Sequence, residues 1–138
     1  MAIDWGERRV GIAMSDEGRT IASPHLVLKR THSLKKDIGN ISSVIEENDV
    51  GMVVVGIPKQ MDGTHGLAAE KIMAVVVKLR EELAVPVKTW DERLSTAEAQ
   101  KILIDGDVSR KKRKGVVDRI AAALFLQTYL DSAAWRES

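Results

Sequence analysis

Gly51-Met52-Val53-Val54-Val55-Gly56-Ile57-Pro58 is the stretch that decides the fold. It is apolar without a break and stops at a proline. A strand with one wet face would alternate. A short unbroken run reads as a strand covered on both faces, as in parallel sheets. Just upstream, Leu34, Ile38, Ile41 and Ile45 recur at i, i+4, i+7 and i+11, one stripe of a helix. Downstream, Ala68, Ile72, Val75, Val76, Leu79 and Leu83 form a second helical stripe. Val85-Pro86-Val87-Lys88-Thr89-Trp90 then returns as another buried strand, with Pro86 tolerable near its start. Helices alternating with buried strands predict parallel pairing through right-handed crossovers.

The N-terminal third has a different rhythm. Ala2-Ile3 lead into a polar turn, Asp4 to Arg9, and Val10 to Ser15 come back as a strand. Asp16-Glu17-Gly18-Arg19 is a second turn, and a third strand falls within Thr20–Leu28, where Pro24 points to an edge or a bend. Turns this short predict an antiparallel meander. Toward the C-terminus, Ser95 and Glu98 make a capping box for a short helix to about Ile104, closed by Gly106. After the basic run 110–114, Val117, Ile120, Ala121, Leu124 and Thr128 mark a last helix ending near Asp131. The expected class is α/β: a mixed five-stranded sheet, antiparallel in its first three strands and parallel after them, with helices on both faces. No linker is visible, so one domain is expected over residues 1–138.

Composition narrows the functions. With no cysteine among 138 residues, disulfides, thiolate metal sites and a cysteine nucleophile are excluded. No apolar run approaches the roughly 18–20 residues of a transmembrane span. Met1–Asp4 lacks the basic and apolar regions of a signal peptide, so a cytoplasmic protein with no membrane partner is expected. A formal net charge of +1 excludes a uniformly basic surface but leaves room for a local basic patch. Aromatics at 4% are too few for a sheet that stacks several bases.

Chemistry in such sheets gathers at the carboxyl ends of the parallel strands. Asp4 ends the first strand, Asp91-Glu92 end the last, and Asp118 falls in the first turn or two of the last helix, heading the ridge of Ala121, Ala122 and Phe125. Singly, each has a plain reading: Asp4 as a turn residue, Asp91 paired with Arg93, Asp118 at a helix N-terminus. Together they are carboxylates that repel unless a hard divalent cation, Mg2+ or Mn2+, sits among them. Two such ions about 3.5–4 Å apart can clamp an in-line phosphoryl displacement. Asp91 and Glu92 are strand neighbours and face opposite ways, so one of them is expected to face the metals, and spacing leaves open which.

Cations lie close by. Arg110-Lys111-Lys112-Arg113-Lys114 precedes Asp118, and Arg8, Arg9 and Arg93 add to that field. Such a run is either a solvated face or a hold on a polyanion's backbone. The loop from Gly56 to Gly66 carries Lys59 and leads into a helix; it is either a phosphate cradle or a plain turn around Asp62-Gly63. It is not a Walker A loop, since no GK[ST] closes it. His25, His32 and His65 are isolated from one another in sequence and read as surface histidines.

Four motifs carry a family resemblance: Asp4-Trp5-Gly6-Glu7-Arg8-Arg9-Val10-Gly11-Ile12-Ala13; Val55-Gly56-Ile57-Pro58 with Met61-Asp62-Gly63-Thr64; Trp90-Asp91-Glu92-Arg93-Leu94-Ser95-Thr96; and Val117-Asp118 with Ala121-Ala122. In this order, over nearly the whole chain, they resemble the YqgF family, the RuvX-like Holliday-junction resolvases. The resemblance implies a ribonuclease-H-like fold and a cytoplasmic bacterial nuclease that matures the 5′ end of precursor 16S rRNA, with junction resolution as a role by analogy. It places the acidic site on Asp4, Glu92 and Asp118, with Asp91 as a neighbouring ligand.

The combined expectation is a Mg2+- or Mn2+-dependent phosphodiesterase, monomer or homodimer, acting on an rRNA precursor or branched DNA. Asp4, Glu92 and Asp118 are its expected catalytic and metal-binding residues. Arg8, Lys59, Arg93, Arg110, Lys111, Lys112, Arg113 and Lys114 are expected to hold the nucleic-acid backbone. A binding or ribosome-assembly factor without catalysis would use the same cations and no metal. An ATPase of the actin and sugar-kinase type also opens on an Asp-x-Gly turn, but needs two such halves.

Overall fold

The computed structural model describes residues 1–58, 66–91 and 110–132, with backbone alone over 110–119. Its elements are β1 (Ala2–Trp5), β2 (Arg9–Ser15), β3 (Ala22–Lys29), α1 (Leu34–Glu47), β4 (Val53–Ile57), α2 (Leu67–Glu82), β5 (Val87–Asp91) and α3 (Arg110–Asp131). The five strands form one sheet in the order β3-β2-β1-β4-β5. β1 to β3 are antiparallel, while β4 pairs in parallel with β1 and with β5. This is the mixed sheet that the change of hydrophobic period predicts.

Alternation along the strands divides two cores. Ile3, Trp5, Val10, Ile12, Val53, Val55, Ile57 and Val87 pack against α1 and α2. Ala2, Ala13 and Val54 lie on the other face beneath α3, whose Ala122, Phe125, Leu126 and Tyr129 cover them. Small residues on the strands admit the large ones of the helix: Ala2 and Ala13 lie in the same cluster as the fully buried Phe125. Trp90 meets Tyr129 edge to face, their ring centres 5.2 Å apart. The Tyr129 hydroxyl reaches the Met52 sulfur at 3.6 Å.

Several boundaries differ from the sequence reading. Pro24 lies in the edge strand, as expected, and the β2–β3 register slips between Ile12 and Ala13, so His25 is the extra residue of a bulge. The buried stripe of α2 is Ala69, Ile72, Val76 and Leu79, so Ala69 rather than Ala68 starts it. Asp91 is the last residue of β5, at the strand end as expected. Most notably, α3 starts at Arg110, so the basic run is its opening turns and Asp118 sits in its third turn, beyond reach of the N-terminal dipole. Arginine and lysine are good helix formers, which explains the early start. The capping-box helix at 95–104 lies outside the described residues. No helix among the described residues is long and apolar enough to cross a membrane.

The β2–β3 turn is held by one carboxylate. Asp16 accepts from the Thr20 hydroxyl at 2.6 Å and from the Thr20 and Ile21 amides at 2.7 and 3.0 Å. Arg19 closes the turn in the left-handed region, at φ 57°. These bonds, the Thr20 hydroxyl's first, lower the Asp16 pKa from 3.8 to about 2. They favour the charged form, so the stability they add is complete above pH 3.8 and is lost as pH falls through about 2. Acid titration followed by circular dichroism should therefore show an Asp16→Asn variant that is less stable at neutral pH and less sensitive to acid between pH 4 and 2. A variant with the wild-type profile would contradict this.

Candidate functional site

The site is built outward from Asp4. On β1, Asp4 pairs with Gly11 of β2. The β1–β4 register, Ala2 with Val54 and Ile3 with Val55, brings Asp4 beside Gly56 when continued by one residue. Gly56 in turn pairs with Trp90. The row across the sheet is thus Gly11, Asp4, Gly56, Trp90, on the face that α3 covers further down. Two glycines leave bare backbone on either side of one half-buried carboxylate. Both glycines are themselves buried.

Asp91 falls in the next row. It pairs with Ile57, which belongs to the core under α1 and α2 together with Trp5. Alternation therefore sets Asp91 on the face opposite Asp4. Asp118 is one helical turn before Ala121 and Ala122, both fully buried on the α3 side. The structure gives its backbone position alone. Glu92, Lys59 and Arg93 lie outside the described residues, and the run 110–114 is placed as backbone. Among the described residues, no three of His, Asp and Glu gather as a metal cluster. Arg8 is exposed in the β1–β2 turn, beside the site.

One residue that the sequence did not single out controls that turn. Arg30 donates through Nη1 to the carbonyls of Gly6 at 3.0 Å and Glu7 at 2.9 Å. Its guanidinium lies over the Trp5 ring, 4.8 Å from the centre. Its Nε stands 3.7 Å from the carboxylate of Asp37, which is buried at the start of α1 and accepts from the Thr31 amide and hydroxyl. The turn is tight. Gly6 N donates to Arg9 O at 2.8 Å, and a Cβ on Gly6 would meet that oxygen at 2.7 Å. Arg30 thus ties the segment that follows Asp4 to the edge strand and to α1. A bond from an arginine to carbonyls more than twenty residues away leaves no local signal in the sequence.

A cleft of about 320 Å3 among the described residues lies elsewhere. It is lined by Met1, Asp16, Arg19, Asp49, Met52 and Tyr129, at the end of the sheet where β1 begins. Asp4 and Asp91 stand toward the other end of their strands. Gln127 ties α3 to the same lower end, accepting from Ala22 N and donating to Thr20 O, both at 2.8 Å.

A sheet of order β3-β2-β1-β4-β5, with an aspartate at the end of its central strand and a helix across that face, defines a ribonuclease-H-like domain. Two solved structures share the fold. The chain is similar to T. thermophilus RuvC in complex with a Holliday junction substrate (TM-score 0.58, 15% identity, 96% of this chain and 94% of that one). It is also similar to the fowlpox virus resolvase in complex with Holliday junction DNA (TM-score 0.52, 12% identity, 96% of both chains). Residues 1–132 match the family described as RuvX: Holliday junction resolvase, and the chain belongs to that family. Among curated relatives, a protein of Thermoanaerobacter pseudethanolicus is 48% identical over 133 residues, covering 96% of this chain and 95% of its own. One of Desulforamulus reducens is 46% identical over 134 residues, 97% of each chain. Both are named as candidate pre-16S rRNA nucleases.

Removing Arg30 should leave the Asp37 carboxylate buried without its cation. Arg30→Ala is expected to cost about 2–3 kcal/mol in urea unfolding. Arg30→Lys should recover only part, since a single ammonium cannot bond the two carbonyls, face Asp37 and lay a planar cation over Trp5 at once. Full recovery by lysine would show that charge alone matters here.

Proposed function

We propose that the chain is a cytoplasmic, divalent-metal-dependent nuclease that cuts a phosphodiester bond at the 5′ end of precursor 16S rRNA. The observation that carries this is Asp4, half-buried between two glycines on the α3 face. The names of the curated relatives support the choice of substrate. The family description makes junction DNA the second reading.

The donor chemistry fits a hard cation. Asp4 offers carboxylate oxygens, the ligands that hard divalent cations take. One carboxylate is too few, so we assign Glu92 and Asp118 to complete the set, with Mg2+ or Mn2+ as the ion. Asp91 stands on the opposite face, so its contribution is to the strand end beside Glu92. A cation held there supplies Lewis-acid polarisation of a phosphoryl oxygen and a nucleophile at neutral pH.

The remaining work falls to the chain's own residues. Asp4, on a central strand paired along both edges, cannot shift without breaking the sheet. Arg30 keeps the following turn in place from behind. Arg8, Lys59, Arg93 and the run Arg110, Lys111, Lys112, Arg113 and Lys114 are assigned to the phosphates on either side of the cut, where charge positions the strand without reading bases. Selection of substrate then rests on the shape of the nucleic acid.

A labelled panel tests this: a precursor 16S rRNA 5′ segment, single-stranded RNA and a four-way DNA junction, each with Mg2+, Mn2+ or chelator. Cleavage of the precursor should need metal, and Asp4→Asn should lower it by more than about a hundredfold while the fold persists. Preference for the junction would favour the second reading. Binding without cutting, unchanged by Asp4→Asn, would overturn the catalytic assignment.

A further inference from the structure

Arg9 of β2 and Lys29 of β3 are directly opposite each other in the antiparallel register. Both are two residues along from the pair Gly11 and Val27, so they point to the same face of the sheet as Asp4. Like charges directly opposite across two strands cost stability. Among the described residues, neither makes an ion pair; the two salt bridges there are Arg30 with Asp37 and Lys78 with Glu81. Lys29 is exposed on the edge strand β3, and Arg9 is half-buried on the neighbouring β2. A lone lysine there would guard the edge against pairing. A second cation facing it adds repulsion and no further protection.

Position explains the pair. Arg9 lies one strand over and two residues along from Asp4, roughly 8 Å between Cα atoms at ordinary strand spacing and rise. Lys29 is one strand further, roughly 12 Å away. The two cations therefore form a step that leads from the acid to the rim of the sheet. An anion between them would turn their repulsion into attraction.

We infer that Arg9 and Lys29 together hold a backbone phosphate of the nucleic-acid strand that flanks the cut, guiding it off Asp4 over the β3 edge. This rests on the nuclease reading for the identity of the anion. It adds a second arm to the interface, on the opposite side of Asp4 from the β4–β5 edge.

The test is equilibrium binding in chelator, so that cleavage plays no part. Fluorescence anisotropy would follow a labelled precursor 16S rRNA 5′ segment and a labelled four-way DNA junction between 50 and 200 mM salt. The proteins are wild type, Arg9→Gln, Lys29→Gln, Lys29→Arg, and Lys71→Gln from the exposed face of α2. Each loss of a phosphate contact should lower the slope of log affinity against log salt by roughly 0.7–0.9 and weaken binding roughly threefold to tenfold at the upper salt. Lys29→Arg and Lys71→Gln should keep the wild-type slope. Because the pair is repulsive, Lys29→Gln should melt no lower than wild type. The edge location keeps this variant informative if Arg9→Gln fails to fold. Unchanged slopes in a wild-type protein that cuts RNA would overturn the pair's role and leave the nuclease reading standing. Reduced slopes in a protein that never cuts would do the reverse. Self-association of Lys29→Gln with unchanged slopes would make the lysine an edge guard only, and no binding by wild type would overturn both.

Discussion

The parity of one four-residue strand governs this molecule. β1 is paired along both edges and covered on both faces, with Ala2 and Ile3 fully buried on opposite sides. A slip of one residue would drive Ile3 beneath α3 and turn Asp4 toward the apolar core of α1 and α2. Hydrophobic burial on two sides thus fixes where a single carboxylate points. The carboxylate stands one residue before the end of the strand, in a row that holds glycine on either side.

The surroundings of Asp4 are stiff. Behind it, Trp5 is buried, Arg30 lies over its ring, and the Gly6–Arg9 turn has no room for a Cβ. In its own row, Asp4 stands between Gly11 and Gly56, with Trp90 beyond. Metal-assisted phosphoryl transfer calls for a donor held in a fixed position. At the lower end of the sheet, Gln127, Tyr129 and Met52 fasten α3 to the strands.

Much of the architecture was legible because burial writes a period into the sequence. The run from Val53 to Ile57 is buried throughout, and the stripe Ile38, Ile41, Ile45 of α1 faces the same core. Phase and boundaries were less legible. Both Ala68 and Ala69 fit a small-residue stripe, and only packing selects Ala69. Lysine and arginine at 110–114 read equally as loop or helix, so the start of α3, and with it the turn occupied by Asp118, escaped the sequence. Asp4 was visible as an acid before a Gly turn. The facing of Asp91 depends on its pairing with Ile57, a contact between strands thirty-four residues apart that no local pattern encodes. The Arg30 clamp is of the same kind.

The central claim is that the Asp4 face of the sheet holds the metal. Anomalous diffraction from crystals grown with Mn2+ tests it most directly. The account predicts a manganese peak roughly 2.0–2.2 Å from an Asp4 carboxylate oxygen, with Glu92 and Asp118 as further ligands and Asp91 turned away. A peak on Asp91 that leaves Asp4 uncoordinated, or no peak near either at saturating Mn2+, would contradict it.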